Sequence, residues 1–246
     1  MAHLKAYHRP TSADAALMLL SRRGVHTALI AGGTYINARR DVKIDEVVDL
    51  QAAGLDELHR AGDRLTVGAM VRIQTLVDNP ETPAVLRNAA RREGPNTFRH
   101  VGTIGGAVAV ADWESEFLAA LLVLDSDVNV QTPQGHRVYA LAEFLSDVPA
   151  ALDGGLITSI TLATPGLTAS DRVARTPADN PIVSATARRD LLGRIHLALS
   201  GVASTPILVV PDDVAALNPP ADFRGTSAYR RQMAVTLSKR VLAVLA

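Results

Sequence analysis

Cysteine is missing from all 246 positions, and its absence removes several chemistries at once. Disulfides, thiolate zinc sites, iron–sulfur ligation and a cysteine nucleophile are excluded within this chain, so any iron–sulfur cluster that serves it must sit on a partner. An excess of one charge is missing too: 25 basic side chains face 25 acidic ones, for a formal net charge of +0. Such a chain has no net field to draw it towards nucleic acid or an anionic membrane. No uninterrupted apolar run reaches the length of a bilayer span, and Met1-Ala2-His3-Leu4-Lys5-Ala6-Tyr7-His8-Arg9-Pro10 lacks the apolar core of a signal peptide. A cytoplasmic chain with no nucleic-acid partner and no membrane span is expected.

Familiar catalytic signatures are also missing. There is no Gly-x-Ser-x-Gly elbow, no Gly-Lys-Ser/Thr phosphate loop and no Gly-x-Gly-x-x-Gly before a helix. The seven histidines are scattered with no pair at helical spacing, which speaks against a metal site. His100 alone falls within a glycine-rich segment, where a solvated loop histidine is the plainer reading. The arginine pairs Arg39-Arg40, Arg91-Arg92, Arg188-Arg189 and Arg230-Arg231 carry no interleaved aromatics and read as solvated faces or interface ion pairs.

What is present is a globular composition: 48% hydrophobic and 20% charged residues, enough for a sizeable core in one large domain or two small ones. The patterns predict a helix over about 12–23, strands at 27–31, 47–50 and 64–70, and helices near 72–78 and 82–92. A loop rich in Gly, Pro and Asn follows over 94–106. Then come a buried helix at 115–124, a hairpin of 127–131 with 137–139, and a strand at 156–162. From Thr164-Pro165-Gly166 the chain reads as a linker or loop, placing a boundary near 165. Beyond it, paired strands at 182–187 and 194–199 precede a long amphipathic helix over 227–245. Strands mixed with helices in this way indicate an α/β or α+β architecture.

Two glycine segments carry the chemistry. Ala31-Gly32-Gly33-Thr34 follows an apolar strand, where residues without Cβ let backbone amides approach an anion; a simple tight turn is the alternative. Arg99-His100-Val101-Gly102-Thr103-Ile104-Gly105-Gly106 adds three glycines and leads into the small-residue run 107–111. Together they suggest a diphosphate clamped from both sides.

These segments, with Ala111-Asp112 after the second, resemble the two FAD loops of the flavin subunits of molybdopterin dehydrogenases, a family that includes the medium subunit of carbon monoxide dehydrogenase and the central domain of xanthine dehydrogenase. Glu46-Val47-Val48-Asp49-Leu50, Leu65-Thr66-Val67-Gly68-Ala69 and Tyr229-Arg230-Arg231-Gln232-Met233-Ala234 fall in the family's order, so most of the chain is covered. The resemblance implies an α+β fold: an α/β-type FAD-binding region of the vanillyl-alcohol-oxidase and enolpyruvylglucosamine-reductase superfold over 1–165, in two subdomains of about 1–55 and 56–165. A smaller C-terminal sheet-plus-helix domain over 166–246 would lie beside the isoalloxazine. It implies that Ala31, Gly32, Gly33, Thr34 and Tyr35 form one cofactor-binding loop and Thr103, Ile104, Gly105 and Gly106 the other, with Asp112 near the ribose or phosphates. Asp179 either matches a polar residue near the ring or belongs to a turn.

The implied role is an FAD-dependent oxidoreductase subunit of a heteromeric molybdenum hydroxylase. It would take electrons from a 2Fe-2S small subunit, reduced in turn by a molybdenum-cofactor large subunit, and pass them to an external acceptor, with no catalytic residue or metal of its own. The chain departs from the pattern at Ala107, where relatives usually carry Asn, and at Trp113, which either stacks on the cofactor or packs under the loop. These departures and the short C-terminal part motivate one alternative, a structural subunit that has lost FAD; a self-contained flavin oxidoreductase on the same superfold is another, for which the sequence offers no catalytic acid or substrate arginine cluster.

Overall fold

The computed structural model describes residues 4–38 and 43–246, so the Arg39-Arg40 pair lies outside the described residues. Strand β1 (Ala6–His8), helix α1 (Ala13–Leu20), β2 (Thr27–Ile30) and β3 (Glu46–Asp49) build a parallel sheet in the order β1-β3-β2. Ser12 starts α1 by accepting the Ala15 amide on its hydroxyl, as an N-cap should. β1 is too short for any periodicity to reveal it; its register against β3, Ala6 opposite Glu46, supplies the evidence.

The chain then forms β4 (Leu58–Ala61), β5 (Arg64–Gly68), α2 (Ile73–Asp78), α3 (Ala84–Arg92), α4 (Asn96–Arg99), α5 (Ile104–Val110) and α6 (Glu116–Val123). It continues through β6 (Asp127–Thr132), β7 (Gly135–Ala140), α7 (Leu141–Ser146), α8 (Val148–Leu152) and β8 (Leu156–Ala163). The five strands make an antiparallel sheet in the order β4-β5-β8-β6-β7. Along β6 the side chains alternate, with Val128, Val130 and Thr132 buried and Asn129 and Gln131 turned outward, the pattern of a sheet covered on one face. Leu65, Val67, Ile160 and Leu162 complete that face beneath the helices.

The third unit comprises β9 (Leu167–Val173), β10 (Val183–Arg189), β11 (Ile195–Ser200), β12 (Ile207–Leu208) and α9 (Ser227–Leu245), with strand order β12-β11-β10-β9 and α9 packed on β9 and β10. The expected linker after residue 165 is in fact strand β9. Its sequence Leu-Thr-Ala-Ser-Asp-Arg-Val is polar because it is a half-exposed edge strand, which hides the apolar alternation that marks a strand.

Helix α6 is buried on all sides and touches α3, β10 and β11, so it is the common core of the second and third units. Each fully buried Leu there contributes about 1.5–3 kcal/mol by burial. Two arginines expected on solvated faces are instead structural. Arg188 is buried and donates to the carbonyls of Pro165 and Val123. Arg230, in the first turn of α9, is fully buried, donates to the Ile182 and Gly201 carbonyls, lies 2.7 Å from Asp222 Oδ1, and stacks its guanidinium 4.6 Å from the Trp113 ring centre. The pattern misses these because burial of a cation depends on partners far away in sequence.

Removing the Arg230 side chain takes its donors from those two carbonyls and from Asp222, which keeps the Arg224 and Gly225 amides. Arg230→Ala is expected to destabilise the chain by about 3–5 kcal/mol, read from the urea midpoint. A loss below about 1 kcal/mol would show that the buried cation does not hold the third unit in place.

Candidate functional site

A cleft of about 420 Å³ opens where the three sheets meet, within the usual range of about 300–1,000 Å³ for small-molecule sites. Its walls come from the segment after β2, the turn joining β5 to α2, the start of α5, the loop before α6, the start of β8, and Asn180 with Pro181 between β9 and β10. Nine of the eleven residues singled out from the sequence line it: Ala31, Gly32, Gly33, Thr34, Tyr35, Thr103, Gly105, Gly106 and Asp112. Two do not. Ile104 is fully buried in the main core, and Asp179 faces a neighbouring depression, where it pairs with Arg175 at 3.6 Å.

The two glycine segments touch. A Cβ on Gly32 would sit 1.9 Å from the Val101 carbonyl oxygen, so only glycine lets the first loop close on the second. Gly33 takes φ +70, the left-handed region that glycine enters without steric cost. Among the described residues, no protein acceptor takes the amides of Gly32, Gly33 or Thr34. Three consecutive N–H groups on a cleft wall are therefore available to an anion.

The second segment is built differently. It is not one open loop, as the glycines and Pro95 suggest, but α4 followed by the first turn of α5. Thr103 caps α5, its hydroxyl accepting the Gly106 amide at 3.1 Å. The amides of Ile104 and Gly105 are spent on the carbonyls of Val71 and Ala69. A Cβ on Gly105 would lie 2.7 Å from that of Ala69, whereas one on Gly106 would meet only the Thr103 hydroxyl and otherwise enter the cleft. Gly105 serves packing; Gly106 leaves room for a ligand. The run 107–111 is helical to Val110 and ends at Ala111 with φ 52.

The remaining walls were not legible as a site. Glu93, Ser115, Glu116 and Arg92 face the cleft beside Asp112 and Glu114. Glu116 is paired with Arg172 at 2.6 Å and Arg92 at 3.1 Å, and Glu114 with Arg224, with Arg230 at 3.8 Å. Among the described residues no cation lies within ion-pair distance of Glu93; the Ser115 hydroxyl reaches both its oxygens at 2.9 and 3.0 Å. Burial pushes the Glu93 carboxyl up to about 8, the serine opposing and Asp112 and Glu116 adding to it. Desolvation also raises Asp112, against the field of Arg224. Trp113 packs under Arg230 in the neighbouring depression and does not line the cleft, and His100 is exposed.

Among the described residues no His, Cys or Lys lines the cleft, and no group of His, Asp and Glu is placed to hold a metal. Free amides, a glycine opening and apolar walls from Leu152, Leu156 and Ile157 are a binding surface for an extended, anionic, partly aromatic molecule, and they fit FAD.

The two glycines separate fold from binding. Gly106→Ala is expected to change stability by no more than about 1 kcal/mol, alanine's helix preference opposing its tight contact with the Thr103 hydroxyl, while weakening FAD uptake through the methyl in the cleft. Gly32→Ala is expected to cost about 1–3 kcal/mol by forcing the loops apart. Denaturant midpoints and fluorescence titration with FAD read both; tighter FAD binding by Gly106→Ala would contradict this assignment of the cleft.

The family described as the FAD-binding domain in molybdopterin dehydrogenase matches residues 2–165. The Escherichia coli (strain K12) protein YgfM is 32% identical over 247 aligned residues, covering 93% of this chain and 91% of its own length. The 6-hydroxypseudooxynicotine dehydrogenase complex subunit alpha of Paenarthrobacter nicotinovorans is 27% identical, with 94% of this chain and 91% of its own covered. A chain of the carbon monoxide dehydrogenase of Hydrogenophaga pseudoflava superposes with a TM-score of 0.88 at 22% identity, over 100% of this chain and 98% of that one, a likeness of fold. The domain match and the cleft agree: the chain belongs to the family of FAD-binding oxidoreductase subunits of the molybdopterin dehydrogenases.

Proposed function

We propose that this chain is the electron-transfer subunit of a molybdenum hydroxylase complex, carrying FAD between iron–sulfur clusters on a partner small subunit and an external acceptor. A molybdenum-cofactor large subunit would oxidise the organic substrate. The observation that carries the reading is the cleft itself, where three amides with no protein acceptor among the described residues lie with a glycine whose Cβ would enter the same space. When bound, FAD supplies the exchange between single-electron and two-electron transfer. The chain's own part is to bind, orient and shield. The amides of Gly32, Gly33 and Thr34 would hold the diphosphate, Gly106 would admit it, and Asn180 and Pro181 would bring the third unit against the cofactor.

The absence of cysteine supports this division of labour, because these 246 residues offer no thiolate to ligate a cluster. So do the names of relatives, which include a dehydrogenase complex subunit and medium chains of glyceraldehyde and carbon monoxide dehydrogenases. Residues 1–165 are read as the FAD-binding region and 166–246 as the C-terminal domain. Among the described residues no helix is long and apolar enough to cross a membrane, and a cytoplasmic location is part of the proposal.

An absorption spectrum of the purified chain, with acid release and mass identification of the nucleotide, tests the cofactor assignment: the bands of oxidised flavin and the mass of FAD are expected. Purines, aldehydes and aromatic heterocycles should leave the flavin of the isolated chain oxidised. Bleaching by one of them without partner chains would overturn the division of labour, and a chain that takes up no FAD even with its partners would overturn the site.

A further inference from the structure

One acidic side chain on the cleft wall differs from the others in having no cation beside it among the described residues. Glu116 is held by two arginines and Glu114 faces two more, while Arg224 lowers the raised Asp112. Glu93 lines the same wall with no basic partner within ion-pair distance among the described residues. Its one side-chain neighbour by hydrogen bond, Ser115, caps α6 by accepting the Leu118 amide at 3.1 Å, so the serine proton is left to point at Glu93.

Every element packed around Glu93 bears on its charge. Glu93 closes the C-terminal end of α3, whose free carbonyls disfavour an anion. From the α6 side the Ser115 hydroxyl and the Phe117 amide favour one, while Asp112 and Glu116 oppose it. Arg92, next in sequence, and Arg172, on β9, are both engaged by Glu116. Burial outweighs the two donors, and the carboxyl titrates near 8 where an ordinary glutamate titrates near 4.5.

We infer that Glu93 is a positioning residue of the FAD site, whose carboxyl, left on the cleft wall without a cation, offers a proton to an acceptor atom of the bound cofactor. The inference rests on the FAD assignment of the cleft. A protonated carboxyl is both donor and acceptor: its oxygens can take the Ser115 hydroxyl and the Phe117 amide while its own O–H serves an acceptor on the ligand. Once ionised, it loses that donor and sets a negative charge beside an anionic dinucleotide.

Titrating FAD into the full chain by fluorescence at about pH 6 and about pH 9, either side of the Glu93 titration, tests this with Glu93→Gln and Glu93→Ala. The unaltered chain is expected to bind about tenfold more weakly at the higher pH, the size of one lost hydrogen bond. Glutamine, a neutral donor at both values, should bind FAD at the higher pH as the unaltered chain does at the lower. Alanine should bind about tenfold more weakly at both, with no pH dependence. A second readout needs no cofactor. The folded chain keeps a proton that the unfolded chain releases above about 4.5, so stability should fall as pH rises from there towards 8, and this fall should shrink in Glu93→Gln. Glutamine with the pH dependence of the unaltered chain, or alanine with its full affinity at the lower pH, overturns the inference. If none of the three binds FAD at either pH, even with the partner chains added, the FAD assignment itself has failed.

Discussion

The close approach of Gly32 to the Val101 carbonyl is the contact on which the site depends. With any Cβ at position 32 the loop after β2 and the turn before α5 are pushed apart, since the added carbon would lie 1.9 Å from that oxygen. The contact joins the parallel sheet to the antiparallel one at the cleft. It also explains why the two glycine segments do unlike jobs: one keeps its amides free, and the other spends them on Val71, Ala69 and the Thr103 cap to hold its shape. The two segments in the sequence suggest a diphosphate clamped from both sides. The structure has one donor jaw and one shaped wall.

Much of the architecture was legible because burial leaves a periodic trace. The long helix α9, the buried helix α6 and the β6–β7 hairpin all fall within a residue or two of where apolar spacing places them. Among the elements that escaped are three-residue β1, the polar edge strand β9, and α5, whose Gly105-Gly106 start mimics a loop; short β4, α4, α7, α8 and β12 escaped as well. In the site, glycines and the Asp112 segment stand out because their residue types are unusual in a row. Glu93 does not, since a single acid at a helix end looks like any solvated glutamate until the fold buries it against Ser115. Arg188 and Arg230 are illegible for the same reason, each finding its carbonyl partners far away in sequence.

The third unit is tied to the cleft by charge as well as by packing. Arg172 on β9 and Arg224 before α9 reach Glu116 and Glu114, two acids flanking Ser115 at the start of α6. Arg230 adds its stacking on Trp113 and its bonds to Ile182 and Gly201. The arginines so neutralise most of a wall that would otherwise repel an anionic cofactor, and they hold Asn180 and Pro181 at its edge. Removing one partner of such a buried pair costs more than the pair contributes, because the other charge is left without compensation. Stability and cofactor affinity are therefore coupled along this seam.

The division of labour between the two glycine segments is tested most directly by amide hydrogen exchange, residue by residue, with and without FAD. Slowed exchange at Gly32, Gly33 and Thr34 on adding FAD is predicted, with Ile104 and Gly105 protected in both states by their bonds to Val71 and Ala69. Unchanged exchange at the first loop while FAD is demonstrably bound would contradict the assignment of those amides to the cofactor.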